Sequence, residues 1–279
     1  MISKNEIREI SANLGLSLDV IEKDYVLGWL IAGINVDEEL KDHWIFKGGT
    51  CLKKCFFGNY RFSEDLDFTI TKSSQLNVDF LEKKFKTISD WVYDQAGIEL
   101  PIEEINFKER NNDHDFNSIK GKITYKGPIA RLGSAPRIKL DLTADELLAT
   151  QSIKSKVLHD YSDYDPSLFE ISSYSYLEIF AEKLRAIAQR SLPRDLYDIV
   201  EIYKKEILSS NQTEILKVLI KKCEYKNIQV PNKELLKDLN KVAEIKSAWN
   251  SMLRHQLKYL PSIDSYLAKF DELMDWLYQ

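Results

Sequence analysis

Cysteine is scarce in this chain, with only Cys51, Cys55 and Cys223 among 279 residues. Three thiols cannot complete a disulfide framework, and Cys51 and Cys55 lack the neighbouring histidines or cysteines that a zinc site needs. A reducing compartment, the cytoplasm, is the expected setting. Glycine (10) and proline (7) are also few, which excludes collagen-like and low-complexity architectures. No apolar run is long: VLGWLIAGI falls far short of the roughly 20 residues that span a bilayer, and charges interrupt the opening MISKNEIREI. Neither a membrane anchor nor a signal peptide is expected. Bulk positive charge is missing as well, because 39 Lys and Arg stand against 44 Asp and Glu, a net charge of −5. Any binding of nucleic acid must then rely on local basic patches.

What is present is enough apolar material for a real core: 44% hydrophobic and 11% aromatic residues. At roughly 150 residues per domain, the length allows one large domain or two ordinary ones. Helical periodicity marks residues 3–14 and 17–34, with Ser3 and Ser17 as N-caps and Gly15 as the stop between them. Asp24 is the odd member of the second stripe, which otherwise comprises Val20, Leu27, Ile31 and Ile34. WIFKGGT reads as a short strand entering a double-glycine turn and a helix, and RFSEDLDFTI alternates like a strand over 62–70. After a helix at 78–97, strands are expected at 102–109, 121–125 and 137–143. Beyond residue 150 the pattern is helical, at 176–190, 195–208, 212–226 and 263–277. HDYSDYDP (159–166) reads as a linker or long loop. The expected architecture is an α/β (α+β) core with a mixed sheet over residues 1–150, followed by an all-helical domain over 151–279.

Asp65 and Asp67, two apart on a strand, share one face. At an effective dielectric near 20 such carboxylates repel by about 4 kcal/mol, so they call for a shared proton or a divalent cation. All-oxygen ligands favour Mg²⁺ or Mn²⁺. The polar face of an edge strand would show the same pattern. Upstream, Lys47-Gly48-Gly49-Thr50 sits between strand and helix, where open backbone N–H groups can hold a phosphate, although any tight turn also wants glycine. Asp141 in RIKLDLT could complete a metal triad or simply face solvent. Together these features point to phosphoryl-type chemistry with a divalent metal.

The string FKGGTCLKKCFFGNYRFSEDLDF resembles the signature of the AbiEii/AbiGii-type toxins, MenT-like proteins of type IV toxin–antitoxin pairs with a DNA-polymerase-β-like nucleotidyltransferase fold. IEKDYVLGWLIAGI resembles the family's N-terminal helix, and EIFAEKLRAIAQRSLPRDLYDIVEIY its C-terminal signature, so the resemblance spans about residues 20–203. It implies that Lys47, Gly48, Gly49, Thr50 and Ser63 bind the nucleoside triphosphate and that Asp65 and Asp67 hold the metal, with Asp141 as a third ligand. Arg61 matches a flanking motif position, Lys183 would contact phosphate, and Asp195 would be a further active-site acid. The implied activity is transfer of a nucleoside monophosphate from an NTP to RNA, tRNA above all, with a cognate antitoxin as partner. A non-catalytic nucleotide-binding component of a phage-defence pair and a small-molecule, antibiotic-type nucleotidyltransferase are the alternatives.

Taken without the resemblance, Lys183 lies on the shoulder of a buried stripe, where a snorkelling lysine would also sit. Asp195 could be an N-cap, with Asp198 three positions on imitating a capping box. Residues 203–246 hold ten lysines against six acids, which suits either a solvated helical face or contact with an RNA backbone.

Overall fold

Ser3 and Ser17 begin their helices as expected, each side-chain oxygen accepting a backbone N–H, from Glu6 and from Val20. Helix α1 (Lys4–Leu14) ends at Gly15 in the left-handed region, and α2 (Leu18–Val36) follows. In this computed structural model the described residues are 1–111, 117–130, 133, 135–207, 211–234 and 238–279. They divide into two compact units, Met1–Glu146 with Ser152–Ser173, and Leu147–Gln151 with Tyr174–Gln279.

The first unit is a seven-stranded mixed sheet. Its strands are β1 (Trp44–Lys47), β2 (Asp65–Ile70), β3 (Asn106–Asn111), β4 (Asn117–Thr124), β5 (Arg137–Thr143), β6 (Ile153–Lys156) and β7 (Glu170–Ser173), in the order β3-β4-β5-β2-β1-β7-β6. The β2–β5 and β1–β7 pairs are parallel and the others antiparallel. Between β1 and β2 the chain turns through α3 (Gly48–Cys51) and a wider π-type turn, Leu52–Phe56. Helix α4 (Val78–Ala96) covers one sheet face, where Phe85 packs against Trp44 and Phe107. Phe46, Leu66, Phe68, Leu140 and Leu142 are buried on that side. Alternation then forces Asp65, Asp67, Lys139 and Asp141 to the opposite face.

The α/β unit does not stop at residue 150. Strands β6 and β7 add to the sheet through β1, so the segment expected to be helical from 151 carries sheet as far as Ser173. Residues 159–166 are the expected long loop, set between β6 and β7 of one sheet rather than linking two domains. His159 and Tyr161 are buried against α2, a helix buried on all sides from 20 to 34 except at Lys23. Asp24 finds its reason here: it accepts from Lys54 Nζ at 2.7 Å and from Tyr161 Oη at 2.9 Å. Gly28 is required by the same packing, because a Cβ there would lie 2.2 Å from His159 Nδ1.

The second unit is formed by α5 (Tyr176–Arg190), α6 (Pro193–Lys204), α7 (Gln212–Tyr225), α8 (Leu239–Leu253) and α9 (Ile263–Leu277). Lys222 belongs to its interior, 2.6 Å from Glu178, 3.3 Å from Glu182 and 3.0 Å from the Leu147 carbonyl. Lys217 and Lys221 of the same helix are exposed. The expected basic face of this segment is therefore smaller than its lysine count.

Burial lowers the pKa of His159 from its ordinary 6.5; Asp163 opposes this shift and Lys54 reinforces it. A group with a depressed folded pKa that charges on protonation makes the unfolded chain take up more protons as pH falls below 6.5, so stability drops there. The melting temperature of the wild type should decline as pH is lowered from 7 through 6, with roughly 2–4 °C lost per kcal/mol. In His159→Gln that part of the decline should be absent. Parallel melting curves for the two proteins across this range would show that His159 does not carry the effect.

Candidate functional site

Lys47 closes β1, and the chain turns at Gly48 with φ +81°, a conformation that side chains resist. Space enforces the same choice, since a Cβ on Gly48 would fall 2.3 Å from Asp67 Oδ2. A Cβ on Gly49 would lie 2.4 Å from the Arg61 guanidinium and 3.2 Å from Ser63 Oγ. The two glycines thus bring the turn backbone against Asp67, Arg61 and Ser63, which is why GGT and R-x-S-x-D-x-D form one device. Thr50 is buried and donates its hydroxyl to the Asp65 carbonyl at 2.5 Å. It ties the turn to β2. Lys47 stands in register with Asp67 and lies 3.8 Å from Glu146.

Asp65, Asp67 and Asp141 do share a sheet face, with Asp67 directly beside Asp141 in the parallel β2–β5 ladder. Asp65 is 32% exposed, open enough to meet a ligand. The Asp141 carboxylate is engaged by Lys120 at 2.9 Å, and Lys139 stands 4.0 Å from Asp65. Among the described residues no three acidic, histidine or cysteine side chains converge to hold an ion. The Asp65/Asp67 pair still offers the hard oxygen donors that Mg²⁺ or Mn²⁺ prefers, and Mg²⁺ characteristically takes one or two carboxylates plus phosphate and water. Lys120 and Lys139 were missed in the sequence, although their signal was there: period two in RIKLDLT places Lys139 on the face of Asp141.

In the helical unit, Lys183 does not snorkel. It is buried, with Nζ 3.1 Å from Asp195 and 2.8 Å from Asp198. Arg190 adds two hydrogen bonds to Asp195, at 2.7 and 2.9 Å. Burial opposes the charge on Asp195, but Lys183 and then Arg190 outweigh it and hold the carboxyl below its ordinary range. Neither acid caps α6, whose N-cap is Leu192 with Pro193 as the first helical residue. Asp198 and Arg190 join the cluster without having been singled out as site residues, though both lie in the RAIAQRSLPRDLYD stretch.

Most of the chain finds its match in known proteins. A profile of the nucleotidyl transferase AbiEii toxin, type IV TA system, matches residues 29–276. The chain belongs to the AbiEii family. Its fold is that of nucleotidyltransferase toxins: MenT4, a nucleotidyltransferase toxin from Mycobacterium tuberculosis H37Rv, superposes with a TM-score of 0.66 at 15% identity, covering 100% of this chain and 90% of that one. JHP933 from Helicobacter pylori superposes with a TM-score of 0.59 at 17% identity, covering 94% and 93%. No curated protein matches the sequence. This AbiEii-family chain is accordingly a nucleotidyltransferase of the type IV toxin–antitoxin class, and among its described residues no helix is long and apolar enough to cross a membrane.

Two outcomes follow from this geometry. Gly48→Ala should lower nucleotide transfer by about 100-fold or more, the cost of a misplacement near 1 Å at a reacting centre, measured as turnover of a labelled NTP. Near-normal turnover would mean the close approach to Asp67 is dispensable. Lys183→Ala leaves Asp195 and Asp198 buried with less countercharge, so urea unfolding of the full chain should show a loss of about 3–5 kcal/mol. Unchanged stability would place this lysine outside the buried cluster.

Proposed function

We propose that this AbiEii-family enzyme transfers a nucleoside monophosphate from an NTP to an RNA acceptor, the acceptor end of tRNA, and releases pyrophosphate. The observation that carries the reading is the close approach of the Gly48 backbone to Asp67, which sets the glycine turn beside the carboxylate pair. Turn N–H groups at a helix start favour the triphosphate, with Lys47 and Ser63 beside them. Asp65 and Asp67 would hold Mg²⁺ or Mn²⁺, which supplies charge neutralisation on the transferring phosphoryl group.

An acceptor hydroxyl gives up its proton to water as its oxygen bonds to the α-phosphorus, the bond to the bridging oxygen breaks, and pyrophosphate departs with those electrons. No protein nucleophile is needed, because positioning and electrostatics dominate such transfers. Thr50 serves the site by fixing the turn on β2 and Asp141 by its place beside Asp67. The resemblance of EIFAEKLRAIAQRSLPRDLYDIVEIY to the family's C-terminal signature supports a role for Lys183 and Asp195 in the reaction. The cognate antitoxin of a type IV pair is the expected partner.

The test is incubation of the purified protein with each α-labelled NTP and total tRNA. Label should enter tRNA with wild type and not with Asp65→Ala, and expression of the wild type in bacteria should arrest growth where Asp65→Ala does not. A soluble Asp65→Ala protein that labels RNA at the wild-type rate would refute the assignment. Label entering a small molecule instead would make this an antibiotic-type enzyme, and saturable NTP binding without transfer would make it a binding component.

A further inference from the structure

The outer part of the sheet carries a surface that its sequence disguises. Register sets Lys108 of β3 opposite Lys120 of β4, Lys120 opposite Asp141 of β5, and Asp141 beside Asp67 of β2. One row along stand Asn106, Lys122, Lys139 and Asp65. Directly opposed residues share a face, so Lys108, Arg110, Lys120, Lys122, Arg137 and Lys139 all project to the side of the acids, and all six are exposed. The other positions of this face on β3, β4 and β5 are Asn106, Ser118, Thr124, Asp141 and Thr143. Not one of them is apolar.

From this arrangement we infer that the β3–β4–β5 face is a track for the sugar–phosphate backbone of a single-stranded RNA end, with Lys108, Lys120, Lys122 and Lys139 meeting successive phosphates and the strand leading to Asp65 and Asp67. This rests on the transfer reading above and adds where the acceptor lies. A protein partner would want an apolar or aromatic centre within its patch, and this face has none. A polyanion needs cations without apolar anchors, and contacts to phosphate position a strand without reading its bases. Neighbouring strands are about 4.8 Å apart and alternate residues about 7 Å apart, so the four lysines form a flat grid on the scale of one nucleotide step. The grid adjoins the carboxylates directly: Lys120 and Lys139 are the two lysines nearest Asp141 and Asp65, at 2.9 and 4.0 Å. An incoming phosphate would compete for the same two lysines.

The experiment is fluorescence anisotropy of a labelled single-stranded oligoribonucleotide with the full chain in EDTA, titrated over salt. Lys108→Gln/Lys122→Gln is compared with the charge-matched pair Lys217→Gln/Lys221→Gln on α7. The sheet pair should bind about ten-fold more weakly, with a log–log salt slope shallower by roughly 1.4, two phosphates at ~0.7 each. The α7 pair should bind as wild type. Lys108→Arg/Lys122→Arg, which keeps the charge, should restore both affinity and slope.

Wild-type RNA binding by the sheet pair overturns the track. So do equal losses from both pairs, which would mean bulk charge alone, and a sheet pair that loses an acidic protein partner while RNA binding is unchanged. The transfer reading fails separately: if wild type labels no RNA from any NTP and the sheet pair still loses RNA affinity, the track stands and the transfer does not.

Discussion

The first unit's site depends on the contact between the Gly48 backbone and the Asp67 carboxylate. Every neighbouring feature serves to hold it. The left-handed φ at Gly48 aims the chain into the helix, and the missing Cβ lets Asp67 approach to a distance no side chain would allow. Gly49 admits Arg61 and Ser63 in the same way, and the Thr50 hydroxyl fastens the turn to the Asp65 carbonyl. The antiparallel β1–β2 pairing then fixes Lys47 opposite Asp67. A one-residue slip in that pairing would turn both acids into the apolar core under α4, so the register is enforced by Leu66 and Phe68 as firmly as by the site.

A second constraint runs through both units: buried charge is neutralised locally. Lys54 meets Asp24, Lys222 meets Glu178 and Glu182, and Lys183 meets Asp195 and Asp198. Such pairs add little net stability compared with apolar packing, yet each is costly to break on one side only. They specify one arrangement of the surrounding helices. For α2 the consequence is direct, because the Tyr161–Asp24 and Tyr25–Asp163 hydrogen bonds lock the 159–163 stretch onto a helix that is otherwise mostly apolar.

Much of this was legible in the sequence where a strong period coincided with a terminal signal. Helices α5 and α9 occupy the ranges that their periodicity marks, the former started by Ser175 accepting from the Glu178 N–H. The GGT and D-x-D elements were legible because chemistry and backbone demand the same residues. Strands β6 and β7 were not, since IKSK and EISS are four residues long and show no clean alternation of buried and exposed positions. Helix α8 escaped because its buried stripe is thin, with Ile245, Trp249 and Leu253 spaced one per turn. The lysines misled for a different reason. Composition counts charges but cannot show that Lys222 is spent inside the protein while Lys108 and Lys122, in a less conspicuous stretch, stand exposed on one face.

Net charge is consequently a poor guide to what this surface attracts. A chain of net charge −5 presents, on three strands, six exposed cations beside a carboxylate pair. Fields of this kind act over about 10 Å at moderate ionic strength, so an approaching polyanion responds to the face before it responds to the whole molecule. The acids benefit as well. Asp65, Asp67 and Asp141 repel one another on a common face, and Lys139 and Lys120 beside two of them lower that repulsion while the site awaits its substrates. Cations on flexible stems can yield to a phosphate in a way that a rigid guanidinium fork resists. Lysine at 120 and 139 therefore suits positions that hold carboxylates here and, on the proposed track, would turn to a phosphate backbone.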